Sequence, residues 1–262
     1  MSEFLRMIGM NIRDVLDDEF DNELLKGSLS FDAVLGTYTG PYSPGNFLTF
    51  LYRIASGNAG AVDIPEGGMG AVTEAMYSAA IANGAEIRTG SRVKSINVDN
   101  CAVTGVTLEN GEVLNAKIVA SNANMKTTVL DMVGPRHFEA DFVKRVGDIR
   151  MRGAAAKIHI ALNDLPEFSG LKSEDLINRL VIAPTQNDVE RAFNHVKYGE
   201  VSTSPMMEIS IPSLVDSSLA EDGHVLSATV QYAPYDLKGG WTKKARADFL
   251  EVCINRIAEY AP

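Results

Sequence analysis

At 262 residues and 45% hydrophobic content the chain can bury a substantial core, either as one large domain or as two ordinary ones. A formal charge of −10 argues against a nucleic-acid partner, because phosphate binding depends on clustered Lys and Arg that release counterions. The two cysteines, Cys101 and Cys253, lie far apart with no thiol or histidine at metal spacing, so both are expected to be reduced and no metal site is expected.

No run of eighteen apolar residues occurs, and the opening Met1-Ser2-Glu3-Phe4-Leu5 lacks the basic and apolar regions of a signal peptide. The expectation is a soluble cytoplasmic protein without an integral membrane segment. Apolar positions at Phe4, Leu5, Ile8, Ile12, Val15 and Leu16, then Phe20, Leu24 and Leu25, predict amphipathic helix over 3–26 with a break near Asp17-Asp18. The acidic cluster Asp17, Asp18, Glu19 and Asp21 suits a helix start, where carboxylates complement the dipole, better than a metal. A short helix over 29–35 ends at Gly36, Pro41, Pro44 and Gly45 form a turn, and helix resumes over 46–54 before a glycine-bearing stretch at 56–60.

Pro65-Glu66-Gly67-Gly68-Met69-Gly70 opens the next helix, whose apolar positions Val72, Ala75, Met76, Ala79 and Ala80 have helical spacing and which Gly84 closes. Strands are predicted at 86–89, 91–98, 102–108 and 113–119, with Asp99-Asn100 and Glu109-Asn110-Gly111 as turns. Residues 125–147 read as helix interrupted at Gly134-Pro135. Strands follow at 154–162, 207–211 and 225–232, with a helix over 187–198 started by Asn187 and a last helix over 242–260.

Gly68-Met69-Gly70-Ala71-Val72-Thr73 has the outline of a dinucleotide fingerprint but fails on context. The preceding Asp63-Ile64-Pro65-Glu66 is short and broken by proline, and Thr73 holds the third glycine position. Gly67, Gly68 and Gly70 let the backbone pass close to something bulky, either a cofactor ring or another backbone. Val93 reads as a strand core position, and Ala120, Ser121 and Asn122 as a turn. In Ala154–Leu162, alternation puts Lys157 and His159 on one face and Ile158 with Ile160 on the other. His137, His195 and His224 share no motif spacing and read as surface residues. Tyr232, Tyr235 and Trp241 make an aromatic cluster that could wall a substrate site.

Pro65-x-Gly67-Gly68-Met69-Gly70, Gly84-Ala85-Glu86-Ile87, Val93-x-x-Ile96, Gly105-Val106-x-Leu108-x-x-Gly111 and Ala116-x-x-Val119-x-Ser121-Asn122-Ala123 together resemble the phytoene desaturase-like flavoproteins of the flavin amine oxidase superfamily. The nearest resemblance within these is to the pyridine nucleotide-disulphide oxidoreductase domain-containing branch. The agreement continues through Lys157-Ile158, Leu165-Pro166-x-Phe168, Ile211-Pro212-Ser213, Tyr232-Ala233-Pro234-Tyr235 and Tyr260-Ala261-Pro262.

The resemblance implies an α/β fold with α+β character. A partial FAD-binding, Rossmann-like domain over 60–135 would be joined to a substrate domain over 1–59 and 136–262 with a mixed or antiparallel sheet and helices. It implies FAD as cofactor, with Gly67, Gly68, Met69, Gly70, Val93, Ala120, Ser121 and Asn122 as its contacts. Lys157 resembles a lysine that holds a water near the flavin N5 atom, and the alternative of a solvent-facing strand residue stays open beside it. The implied reaction is hydride removal from a hydrophobic or amine-like substrate. The amino-terminal glycine motif and the carboxy-terminal flavin segment of the family have no counterpart in this sequence. The chain therefore reads as an internal fragment, inactive alone and open to homodimerisation through unpaired strand edges. A non-catalytic binding module or folded remnant without flavin is the alternative.

Overall fold

The computed structural model describes residues 2–56 and 65–262, so residues 57–60 of the expected stretch at 56–60, and Asp63-Ile64 before the glycine turn, lie outside the described residues. The fold is mixed α/β with two antiparallel sheets. The chain divides into two compact units, Met1–Ala75 with Arg152–Pro262, and Met76–Met151. The second contains residues 76–135 of the expected cofactor part and adds 136–151.

The larger unit begins with α1 (Ser2–Gly9), α2 (Ile12–Glu19), α3 (Glu23–Val34) and α4 (Asn46–Ala55). The predicted long helix breaks twice, at Met10-Asn11 and at Phe20–Asn22, because Asn11 and Asn22 each accept an amide of the following turn and start new helices. Asp17, Asp18 and Glu19 therefore close α2 instead of opening a helix. The Lys26 ammonium, 2.9 Å from Asp17, offsets this charge and holds the Asp17 carboxyl below its ordinary range. No group of acidic, His and Cys side chains that could hold a metal occurs among the described residues.

The sheet of this unit has the order β4-β7-β6-β5, from β4 (Ala155–Leu162), β5 (Leu180–Ile182), β6 (Met206–Ser210) and β7 (His224–Gln231). Here β4 forms one edge, bonded in register to β7 over its full length. Burial alternates along β4 as the sequence predicts, with Ile158 and Ile160 turned to the core and Lys157 and His159 outward. That apolar face, with Leu226, Ala228, Val230, Met207 and Ile209, is covered by Phe249, Cys253 and Ile257 of α8 (Lys243–Ala258). A second cluster joins α3 to α7 (Gln186–Lys197) through Phe31, Val34, Val189 and Phe193. Thr185 caps α7, its hydroxyl accepting the Asp188 amide, where Asn187 was expected to start it.

The 76–151 unit holds the later part of α5 (Gly68–Ala82), then a meander of β1 (Val93–Asp99), β2 (Ala102–Leu108) and β3 (Val113–Asn115). The expected strand at 86–89 does not form, since Gly84 and Gly90 turn the chain at positive φ on either side of it. The strand predicted to reach Val119 leaves the ladder after Asn115. Gly105 sits where the β1·β2 register shifts, at φ 151, and a Cβ there would lie 2.1 Å from the Leu114 carbonyl oxygen. The helix expected over 125–147 is a π-helical stretch at Thr127–Val133, a 3-10 turn at Pro135–His137 and α6 (Ala140–Asp148). Few apolar residues are buried in this unit, among them Ile96, Leu108, Val129 and Val146.

Candidate functional site

A cavity of about 690 Å³ opens against the edge of β4. One wall is the strand itself, from Ala155 to Ile158, and the other comes from the 233–235 segment and the start of α8. The 233–235 segment is fixed to the strand's approach, because the Ala233 amide donates to Ala154 O at 2.9 Å and the Tyr235 amide to Gly153 O at 2.8 Å. Trp241 Nε1 donates to Pro234 O at 2.9 Å, and the indole meets the Phe249 ring edge-on at 5.8 Å. These bonds hold an apolar wall in place before any ligand arrives, as small-molecule sites usually require.

Tyr235 and Trp241 of the expected aromatic cluster line this cavity. Tyr232 does not: it is fully buried in the α3–α7 cluster, where its hydroxyl donates to Thr39 O at 2.8 Å. Burial, and next the nearby Glu190 charge, push its phenol well above the ordinary range. Phe249 and Arg246 line the cavity too. Phe249 is visible in the sequence only as one apolar residue on a helix face, and Arg246 carries no sequence signal.

Lys157 borders the cavity and is exposed, and its ammonium donates to Thr229 Oγ1 at 3.0 Å. Thr229 lies directly opposite Lys157 on β7, and Glu208 of β6 lies opposite Thr229. Glu208 is engaged elsewhere, receiving Arg53 and Arg179 at 2.8 Å each.

Gly67 and Gly68 adopt positive φ, 75° and 71°, and turn the chain into α5. The Gly67 amide is taken by Asp216 Oδ2 at 2.6 Å, and the Gly68 amide by Pro65 O at 2.8 Å. A Cβ added at Gly70 would meet nothing within 4 Å, so a ligand could approach the backbone there. Met69 is exposed. Val93 begins β1 opposite Leu108. Ala120, Ser121 and Asn122 are exposed, with Ser121 Oγ 2.8 Å from Thr128 Oγ1. The glycine turn and Lys157 thus belong to the larger unit, and Val93 with Ala120–Asn122 to the 76–151 unit.

His137 is exposed in its 3-10 turn and His195 half-buried in α7. His224, expected at the surface, is half-buried as the first residue of β7, its Nδ1 3.3 Å from Ser213 Oγ.

The chain is an α/β protein in which an antiparallel sheet is backed by a helix and a largely apolar cavity opens at the sheet edge, the kind of concavity in which small-molecule sites occur. Residues 10–164 match the family described as flavin containing amine oxidoreductase, and the chain belongs to that family. It is 31% identical, over its whole length, to mouse pyridine nucleotide-disulfide oxidoreductase domain-containing protein 2, covering 48% of that relative. It is 25% identical over 61% of its length to the zeta-carotene-forming phytoene desaturase of Myxococcus xanthus, covering 28% of it. A solved oxidoreductase from Methanosarcina mazei shares the fold, with a TM-score of 0.60 at 20% identity over 96% of this chain and 52% of that one. The chain spans about half the length of the first curated relatives it matches, 48% in each. No described helix is long and apolar enough to cross a membrane.

Proposed function

We propose that the chain is the substrate-binding part of an FAD-dependent oxidoreductase that removes hydride from a hydrophobic substrate. The observation that carries this reading is the apolar cavity built against β4, the strand that bears Lys157, in a chain of a flavin-dependent family. The Myxococcus xanthus relative, by its name, desaturates phytoene, which supports an apolar substrate.

Bound flavin would supply the hydride acceptor, and the protein the binding, orientation and exclusion of water. Gly67, Gly68, Met69, Gly70, Val93, Ala120, Ser121 and Asn122 would contact it. Each segment by itself leaves room for a ligand: Gly70 has open space beside it, and Ala120–Asn122 are small and exposed. They do not supply a pyrophosphate cradle, because the Gly67 amide is already committed to Asp216. Lys157, held by Thr229, would carry and pass a proton at Nζ. The cavity walls from Pro234 to Phe249 would orient the substrate.

The 262-residue chain alone is accordingly expected to be colourless and inactive, and to associate through uncovered strands. Among the described residues β4 is an edge strand, paired to β7 on one side, and such an edge favours pairing with another chain. The test is flavin content. The natural polypeptide that carries this sequence should be isolated with bound FAD that bleaches under anaerobic conditions when an apolar substrate is added. A natural polypeptide that is colourless, with a melting temperature indifferent to FAD, overturns the reading in favour of a binding module.

A further inference from the structure

The charges around the β4 cavity narrow its occupant beyond hydrophobicity. Resting on the reading that this cavity takes the substrate, we propose that it binds a soluble apolar molecule ending in a carboxylate, with Arg246 receiving the acid group.

The apolar half of the argument is the wall. Ile158, Ala233, Pro234, Trp241 and Phe249 line part of an open cavity of about 690 Å³, a volume within the usual range for small-molecule sites. Hydrogen bonds at Pro234 and Ala233 fix this wall, so an apolar tail enters without having to order it first.

The polar half is an imbalance of charge. Arg246 lines the cavity, and its guanidinium enters no ion pair or hydrogen bond among the described residues. Lys244, two residues earlier on α8, contrasts with it, since both oxygens of Asp248 hold its ammonium at 2.8 Å. Lys157 is the other cation bordering the cavity, and the partner of its ammonium is the neutral Thr229. Among the described residues no carboxylate lines the cavity, although Asp and Glu outnumber Lys and Arg by 34 to 24 in the sequence. A ligand ammonium would therefore meet like charge without a counter-ion, while a carboxylate would meet an unpaired guanidinium, whose planar fork matches it. An amine substrate is disfavoured and an acid favoured.

Trp241 is the sole tryptophan of the chain and stands in the cavity wall, so its emission reports occupancy. The 262-residue chain is titrated with decanoate, decanol and decylamine, all below their micellar concentrations, following Trp241 emission and calorimetric heat. Decanoate should bind on the order of tenfold more tightly than decanol, and more tightly still than decylamine. In Arg246→Gln, decanoate should fall to within roughly twofold of decanol, while decanol binding is unchanged. Arg246 is exposed, so the variant is expected to fold, and an unchanged melting temperature would check this. The proposal is overturned if decylamine matches decanoate, if Arg246→Gln leaves decanoate affinity intact, or if no probe gives emission change or heat. None of these measurements involves flavin, so their failure leaves the oxidoreductase reading standing. A natural polypeptide without flavin would in turn sink that reading and not this one.

Discussion

The Gly67 amide donates to Asp216 Oδ2 at 2.6 Å, which ties the glycine entry of α5 to the 3-10 turn Ser217–Leu219 after β6. The other oxygen of Asp216 accepts the Ser218 amide at 2.9 Å. Hydrogen bonds from Ser218 and from Gly67 hold the Asp216 carboxyl below its ordinary value of 3.8. A carboxyl whose folded value is depressed stabilises the fold above its unfolded value, and that contribution is lost as pH falls through the folded one. Asp216→Ala should speed hydrogen exchange at the 67–70 amides at neutral pH, and the two proteins should converge only once pH falls below the depressed folded value, itself under 3.8. Equal exchange at neutral pH would show that the bond does not hold the turn.

Asp32, Arg53, Arg179 and Glu208 form a square of alternating charge between α3, α4, β6 and the residue that precedes β5. Arg53 reaches Asp32 at 3.1 Å and Glu208 at 2.8 Å, and Arg179 pairs with the same two carboxylates. Burial opposes the Arg179 charge, but Asp32 and Glu208 outweigh it and hold its pKa above the ordinary value. Side chains in this square are 15% to 26% exposed, so removing one member leaves its partners poorly solvated. Arg179→Met should cost about 2–4 kcal/mol in urea unfolding. Adding Asp32→Asn should restore part of that loss, since the stranded charge is removed. A loss below roughly 0.5 kcal/mol would mean that solvent screens the square as it does a surface pair.

The square also shows what the sequence could and could not disclose. Alternation in β4 was readable because one face is buried, which fixes Ile158 and Ile160 inward. The hairpin after Leu108 was readable because Asn110-Gly111 has turn chemistry, and Gly111 does adopt a φ of 89°. Asp32 and Arg179 lie 147 residues apart, and nothing local in either links them. Asp216 reaches Gly67 across a separation of 149 residues in the same silent way. The three residues of β5 gave too short a pattern, and the break at Phe20–Asn22 depended on Asn22 capping a new helix instead of on the acidic run before it. The cavity became visible once the fold brought Trp241 and Phe249 to the edge of β4. The glycine turn stood out in the sequence, but its amide partner did not.

The two thiols should differ sharply in reactivity. Cys253 is fully buried beneath the sheet, and burial pushes its thiol up to about 12. Cys101 is exposed in the β1–β2 turn at a φ of 62°. Since the thiolate is the reactive form, Cys253 at pH 8 holds only about one part in ten thousand of it. A chromogenic disulfide reagent should label one thiol per folded chain rapidly and the second only in denaturant. Rapid labelling of both in the folded protein would mean that α8 does not stay docked on the sheet.

Lys157 offers a test that separates a chemical role from a structural one. Its side chain is exposed and bonded to one neutral partner, Thr229, so Lys157→Ala should change stability by no more than about 0.5 kcal/mol. If Lys157 passes a proton during turnover, the same change in the natural flavin-loaded polypeptide should slow flavin reduction or reoxidation by about 10²-fold, with flavin content unaltered. Small alkylamines added to the variant should then restore part of the lost rate, because they replace the missing ammonium at the cavity edge, which a merely structural lysine would not require. Stopped-flow traces that superimpose on those of the unaltered protein would return Lys157 to the status of a strand residue facing solvent.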